Sequence, residues 1–406
     1  MLIDFLLLSI IFLVFILYTF IYKKDYKRVT FLYSFSLITI FYTPSLYFFF
    51  GGEAYRFFTD KSLIDFFHIG TITIFIYLVL SWFIDSLNLK QSTVMIKNSL
   101  LVKIYFLIII IPILLYYIVY FKSFPLVNLL LNGELIDRPD LTGAIPHFYT
   151  ISTVVSIIIP SIYFFYFREI KSKYMHLLIN IIMIFLFIAS GNKGFLAYYF
   201  IFVWLYIFNG KVDIKLILMF FFLMLVYAIT KGILSVNPEL FSYMMNSPFR
   251  RFFVSQGTGF IHRIDMVNEG FDFLHNSNPR GLKFDVFAHM YNTTSIVGSA
   301  PTFYTADFYA KYGEWVSFVI FTIISSIILY ISKLFHIMNT NRKLFFYWNI
   351  YAIIFFIVMA EINFTNTIRI IVGIANIYIV ILISKIVIKE KYAKQHSLNN
   401  NPIIQK

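Results

Sequence analysis

Runs of about 20 mostly apolar residues, separated by short polar breaks, recur along the whole of this chain. A helix needs about 20 such residues to cross ~30 Å of hydrocarbon, and on that rule the pattern predicts about eleven spans. They fall near 2–22, 31–50, 64–84, 102–121, 148–167, 175–190, 195–209, 214–231, 314–332, 344–361 and 367–388. The expected fold class is an all-α polytopic integral membrane protein forming a single transmembrane domain over 1–406. The first run, MLIDFLLLSIIFLVFILYTFIYKK, has its positive charges after the apolar stretch and no small-residue cleavage site. It therefore reads as a retained span and not as a signal peptide.

Composition agrees with lipid as the solvent: 60% of residues are apolar, 21% aromatic and 13% charged. A soluble chain carries about 25% charge, which this one lacks. The absence of cysteine excludes disulfides, thiolate metal sites and a cysteine nucleophile. Lys and Arg are distributed unevenly. Loops after odd-numbered spans, with the C-terminal tail, collect 20 of the 33 basic residues. By the positive-inside rule that side is cytoplasmic, which puts the N-terminus in the periplasm and the C-terminus in the cytoplasm. The net charge of +13 is thus a topology signal and not a sign of nucleic-acid binding.

Two connections on the opposite face are long, 122–147 and 232–313, and the second is expected to hold short helices separated by Gly and Pro. Long loops on a rigid scaffold are where sites usually sit. In the first, Asp137, Arg138 and Asp140 form a polar tip, read as a solvated turn or a sugar contact. Between the sixth and seventh spans, SGNKG carries Lys193, which either snorkels or meets a lipid-linked phosphate. The second long loop holds Arg250, Arg251, Arg263 and Arg280 among phenylalanines. The planar guanidinium fork suits a pyrophosphate; pairing with lipid headgroups or with Glu239, Asp265 and Glu269 is the plainer use. Asp285 and His289 are four apart and His262 and Asp265 three apart, so on helices each carboxylate could orient its imidazole. His289 is the first candidate for acid–base catalysis and His262 the second. Asp307 and Lys311 read as a surface ion pair, Tyr304, Tyr309, Tyr312 and Trp315 as an interfacial aromatic belt, and Arg369 as a snorkelling anchor.

No nucleotide-binding loop, H-E-x-x-H, D-x-D or clustered metal-ligand spacing occurs. The expectation is a reaction without metal or other cofactor, using a membrane-embedded donor.

Two segments add a resemblance. SGNKGFLAYYFIFVWLY at 190–206 and SAPTFYTADFYAKYGEWVSFVIFTIISSII at 299–328 are similar to segments of the O-antigen polymerases of bacterial surface-polysaccharide assembly, the Wzy type, with Lys193 where that family commonly has Arg. The span pattern resembles theirs over nearly the whole chain. The resemblance implies an inner-membrane glycosyltransferase that joins undecaprenyl-pyrophosphate-linked oligosaccharide repeat units at the periplasmic face. Donor and acceptor are both lipid-linked, membrane lipids surround them, and a chain-length regulator is a candidate protein partner. Under this reading Lys193, Arg250, Arg251, Arg263 and Arg280 neutralise the pyrophosphate, and His289, helped by Asp285, or else His262, is the general base. A lipid-linked oligosaccharide flippase, an O-antigen ligase and a membrane acyltransferase are the alternatives.

Overall fold

The computed structural model describes residues 1–24, 28–52, 57–124, 127–128, 131, 145–188, 193–213, 215–216, 218–219, 221–222, 225, 254–278, 281–292, 300, 302–359 and 370–384. In chain order the helices are α1 (Leu2–Ile16), α2 (Phe31–Leu37), α3 (Thr43–Phe49), α4 (Asp60–Ser86), α5 (Leu100–Tyr120), α6 (Phe148–Tyr166) and α7 (Lys173–Ile188). They continue with α8 (Lys193–Phe208), α9 (Gln256–Asn268), α10 (Leu282–Tyr291), α11 (Tyr304–Tyr312), α12 (Glu314–Ile337), α13 (Lys343–Met359) and α14 (Ile370–Ser384). A π-helical turn at Leu17–Tyr22 prolongs α1, and another at Ile38–Tyr42 joins α2 to α3. Strand structure among the described residues is one two-residue parallel pairing, β1 (Thr93–Val94) with β2 (Asn339–Thr340).

This is the architecture of a helical membrane protein. Among the described residues, five continuous helical stretches are long and apolar enough to cross a bilayer: Leu2–Tyr22, Phe31–Phe49, Asp60–Ser86, Leu100–Ser123 and Glu314–Ile337. Shorter apolar helices occupy Thr150–Tyr166, Lys173–Leu186, Tyr198–Phe208 and Ile370–Ser384. Most of the expected eighth span, the tip of the first long loop and Arg369 lie outside the described residues. Along α5, Leu107, Ile108, Ile111, Leu114, Leu115, Ile118 and Val119 are all exposed, a surface that only hydrocarbon tolerates.

The chain forms two compact units, one of 1–90, 210–337 and 354–366, the other of 91–209, 338–353 and 367–406. In the first, α1, α4 and α12 pack with α2, α3 and the short helices α9–α11. Its core is aromatic and hydroxylic: Tyr33 Oη lies 3.0 Å from Tyr304 Oη and 2.7 Å from Ser325 Oγ, and Phe41 stacks on Phe66 and meets Phe260. One end of α4 is closed by Lys333, whose ammonium donates to the end carbonyls of Ile84 (2.7 Å) and Asp85 (2.8 Å). Asp85 there also holds Lys23 at 3.2 Å and Arg28 at 3.0 Å.

The second unit is held by polar bonds between apolar helices, which are favourable where no water competes. Asn349 Oδ1 accepts from Ser161 Oγ at 3.0 Å and from Asn376 Nδ2 at 2.9 Å, and Trp348 Nε1 donates to the Ile157 carbonyl at 2.8 Å. Arg342 stacks over the Phe165 ring, donates to the Phe165 carbonyl at 2.7 Å and pairs with Glu169.

Tyr304 is not part of an interfacial belt. It is 1% exposed and hydrogen-bonded to Tyr33, because the turn before α11 tucks its ring inside the first unit. Trp315 and Tyr312 do face outward.

Candidate functional site: an imidazole and carboxylate cluster on α9 and α10

The sequence of α9, QGTGFIHRIDMVN, is barely apolar, yet every residue from Gly257 to Met266 is buried. Two features allow this. Gly257 lets the backbone close on the π-helical turn before α3: an added Cβ there would stand 2.7 Å from the Ile40 carbonyl oxygen and nearer still to Cγ of Pro44. The carboxylate of Asp265 and the guanidinium of Arg263 then find partners on other elements, as burial demands.

Asp265 shows how. Its Oδ1 accepts from the Thr59 amide and the Thr59 hydroxyl, both at 3.0 Å, and from Ser62 Oγ at 2.8 Å. Thr59 is the N-cap of α4, so the carboxylate is fastened to the start of a long helix whose dipole favours negative charge there. Asn268 adds a second tie, with Nδ2 donating to Ser62 Oγ (3.1 Å) and Asp65 Oδ2 (3.0 Å). Burial pushes the Asp265 carboxyl up, but the three donated bonds and nearby His262 outweigh it and hold the group below the usual carboxylate range.

α10 packs against α9 through an apolar cluster of Leu282, Val286 and Met290 with Met266, Phe273 and Ala300. Asn292 in the left-handed region ends it. This seating brings His289 to His262, ring centroids 5.5 Å apart and nearly edge to face. His262 is fully buried and also meets the edge of Phe58. His289 Nε2 lies 3.1 Å from Glu269 Oε2, a carboxylate that is half exposed at the C-cap of α9. One ligating atom each of His262, Asp265 and His289 lies within 4.8 Å of the others. Linear spacing shows no metal-type cluster, and the fold assembles one from two helices.

Two readings of the sequence need correction. Asp285 does not serve as the hydrogen-bonding carboxylate of His289: its Oδ2 accepts from the Asn278 amide at 2.8 Å, closing the turn that leads into α10. Burial raises the Asp285 carboxyl, partly offset by that amide. Glu269 takes the orienting place instead. Arg263, expected to hold pyrophosphate, is wholly enclosed: Nε donates to Asp307 Oδ1 at 2.8 Å, and Nη1 to the carbonyls of Gly259 (2.8 Å) and Ala300 (3.2 Å). It fastens α9 to α11, and Asp307 is committed to it.

Arg250, Arg251 and Arg280 lie outside the described residues; Lys193 opens α8, and its side chain lies outside them too. Glu269 was legible as a signal that the sequence reading passed over: His262, Asp265 and Glu269 follow the i, i+3, i+7 spacing of a single helix face. Thr59 and Ser62, some two hundred residues away, left no such signal.

No protein-family model, no curated protein and no solved structure matches this chain.

Proposed function

We propose that this protein is a membrane-embedded glycosyltransferase of the polymerase kind, joining undecaprenyl-pyrophosphate-linked repeat units at the periplasmic face of a bacterial inner membrane. One observation carries the reading: two imidazoles and two carboxylates converge on α9 and α10, beside the N-terminus of α4. The apolar helices, the asymmetry of Lys and Arg, and the likeness of 190–206 and 299–328 to polymerase segments support the setting and the substrate class.

The chemistry asked of the site is modest. An acceptor hydroxyl oxygen bonds to the anomeric carbon while the bond from that carbon to the pyrophosphate oxygen breaks, and the electron pair leaves with undecaprenyl pyrophosphate. The acceptor proton passes to the Glu269–His289 pair, which is hydrogen-bonded and reachable from solvent through Glu269. Holding two lipid-anchored sugars at one bilayer surface supplies proximity. Lys193, Arg250, Arg251 and Arg280 remain the proposed partners of the pyrophosphate.

Cells lacking the protein test this. Surface carrier capped with single repeat units is the expected result. No surface repeat at all assigns a flippase, an unattached but full-length polymer a ligase, and an intact ladder missing a substituent an acyltransferase.

A further inference from the structure

We propose that His262, Asp265 and His289 form a binding site for one first-row divalent transition-metal ion, with zinc the best match to the donors. Two imidazole nitrogens and one carboxylate oxygen are the ligand set that zinc, manganese, iron and cobalt share, and one that the oxygen-preferring calcium and magnesium do not favour. Three protein ligands also leave a coordination position open, as reactive metal sites do.

The distances fit. An ion at the centre of a triangle with 4.8 Å sides stands about 2.8 Å from each corner, so each ligating atom moves by less than ~1 Å to reach a zinc bond of ~2.0–2.2 Å. Side-chain rotation covers that. The backbone is fixed beneath it: α9 is buried along its length, and the apolar cluster holds α10 in place.

The surroundings are those of ligands that are already oriented. All three hydrogen bonds to Asp265 fall on Oδ1, which assigns Oδ2 to the ion. Glu269 holds Nε2 of His289, which assigns Nδ1; a carboxylate behind a ligating imidazole fixes its tautomer and raises its basicity. The guanidinium of Arg263, the next residue after His262, is neutralised by Asp307. Asp65, joined to α9 through Asn268, adds negative charge nearby. A fully buried imidazole beside a buried carboxylate costs solvation that a cation between them returns.

What the ion does rests on the polymerase reading; that it binds does not. Under that reading the open position takes an oxygen of the departing pyrophosphate and stabilises its growing charge. The two histidines then act as ligands, and Glu269 accepts the acceptor proton.

The test uses the full chain in detergent, stripped with a chelator, desalted and titrated with zinc or cobalt in the absence of any lipid-linked sugar. Elemental analysis after gel filtration should give about one zinc per chain, and cobalt the visible bands of a low-symmetry nitrogen and oxygen site. Asp265→Asn and His289→Gln should abolish stoichiometric binding. Because Asp265 also ties α9 to α4, the more telling variant is Glu269→Gln at a half-exposed position: its unfolding temperature should match wild type while zinc affinity falls ~10- to 100-fold. Wild-type protein without bound zinc, or folded Asp265→Asn and Glu269→Gln proteins that bind as wild type does, overturns the site. Failure to bind leaves the polymerase reading standing, whereas binding by a protein that forms no polymer sinks that reading and leaves the site.

Discussion

Asp307→Asn separates two roles for Arg263. In the structure the guanidinium has no solvent exposure, one anionic partner at 2.8 Å and two carbonyl acceptors. Asparagine keeps an oxygen for Nε but removes the charge, so a buried cation loses its counter-ion. Breaking a buried pair costs about 3–5 kcal/mol. Asp307 keeps 18% of its side-chain surface, and partial screening by water lowers the figure to about 2–3 kcal/mol. For a unit of this size each kcal/mol moves the unfolding midpoint by ~2–4 °C, so a fall of roughly 5–10 °C is expected. Tryptophan fluorescence on the detergent-solubilised protein reads it; thiol dyes are useless in a chain without cysteine. The double variant Arg263→Met with Asp307→Leu should recover most of the loss, since an apolar pair avoids the desolvation cost. An unchanged midpoint for Asp307→Asn, together with tighter binding of pyrophosphate, would refute the structural role and return Arg263 to the anion site.

Gly257→Ala should lower the midpoint by the equivalent of about 1–3 kcal/mol, because its methyl group meets the Ile40 carbonyl and the Pro44 ring; Gly270→Ala, with open space but a φ of +85°, should cost only about 1 kcal/mol. Burial raises the Asp285 carboxyl pKa, so its ionisation opposes folding: wild type should lose stability as pH rises from the ordinary carboxylate value of 3.8 through the higher folded value, and unfolding curves of Asp285→Asn should lack that loss. The same variant should polymerise within about threefold of wild type, since the amide oxygen still accepts from Asn278 and His289 relies on Glu269. A single cysteine at the exposed Asn276 should react with an impermeant thiol reagent on intact cells; labelling confined to broken cells would invert the proposed orientation.

The membrane class, the helical content and the position of the long apolar helices were legible because twenty-residue apolar runs leave a bilayer protein little choice. α1, α4, α5 and α12 lie close to where hydropathy puts them. The short helices of the second long connection were foreshadowed by Gly and Pro punctuation, but their burial was not. Nothing local in QGTGFIHRIDMVN says that Gly257 will close on Pro44 or that Asp265 will cap its charge with Thr59. Candidate residues were found by type, and their pairings were misassigned where the nearest carboxylate in sequence competed with one from across a turn. His289 reaches Glu269, twenty positions back, because the apolar face of α10 rotates it there. Arg263 was read as a ligand because long-range ion pairs such as the one with Asp307, 44 positions on, have no signature in one sequence.

The central claim is that the α9–α10 cluster carries glycosyl transfer, and its most direct test is a reaction of purified protein with synthetic undecaprenyl-pyrophosphate repeat units in detergent. Wild type should build a ladder of oligomers, and Glu269→Gln, folded to the same midpoint, should build it at least ~100-fold more slowly. A Glu269→Gln protein that extends the ladder at the wild-type rate would contradict the account.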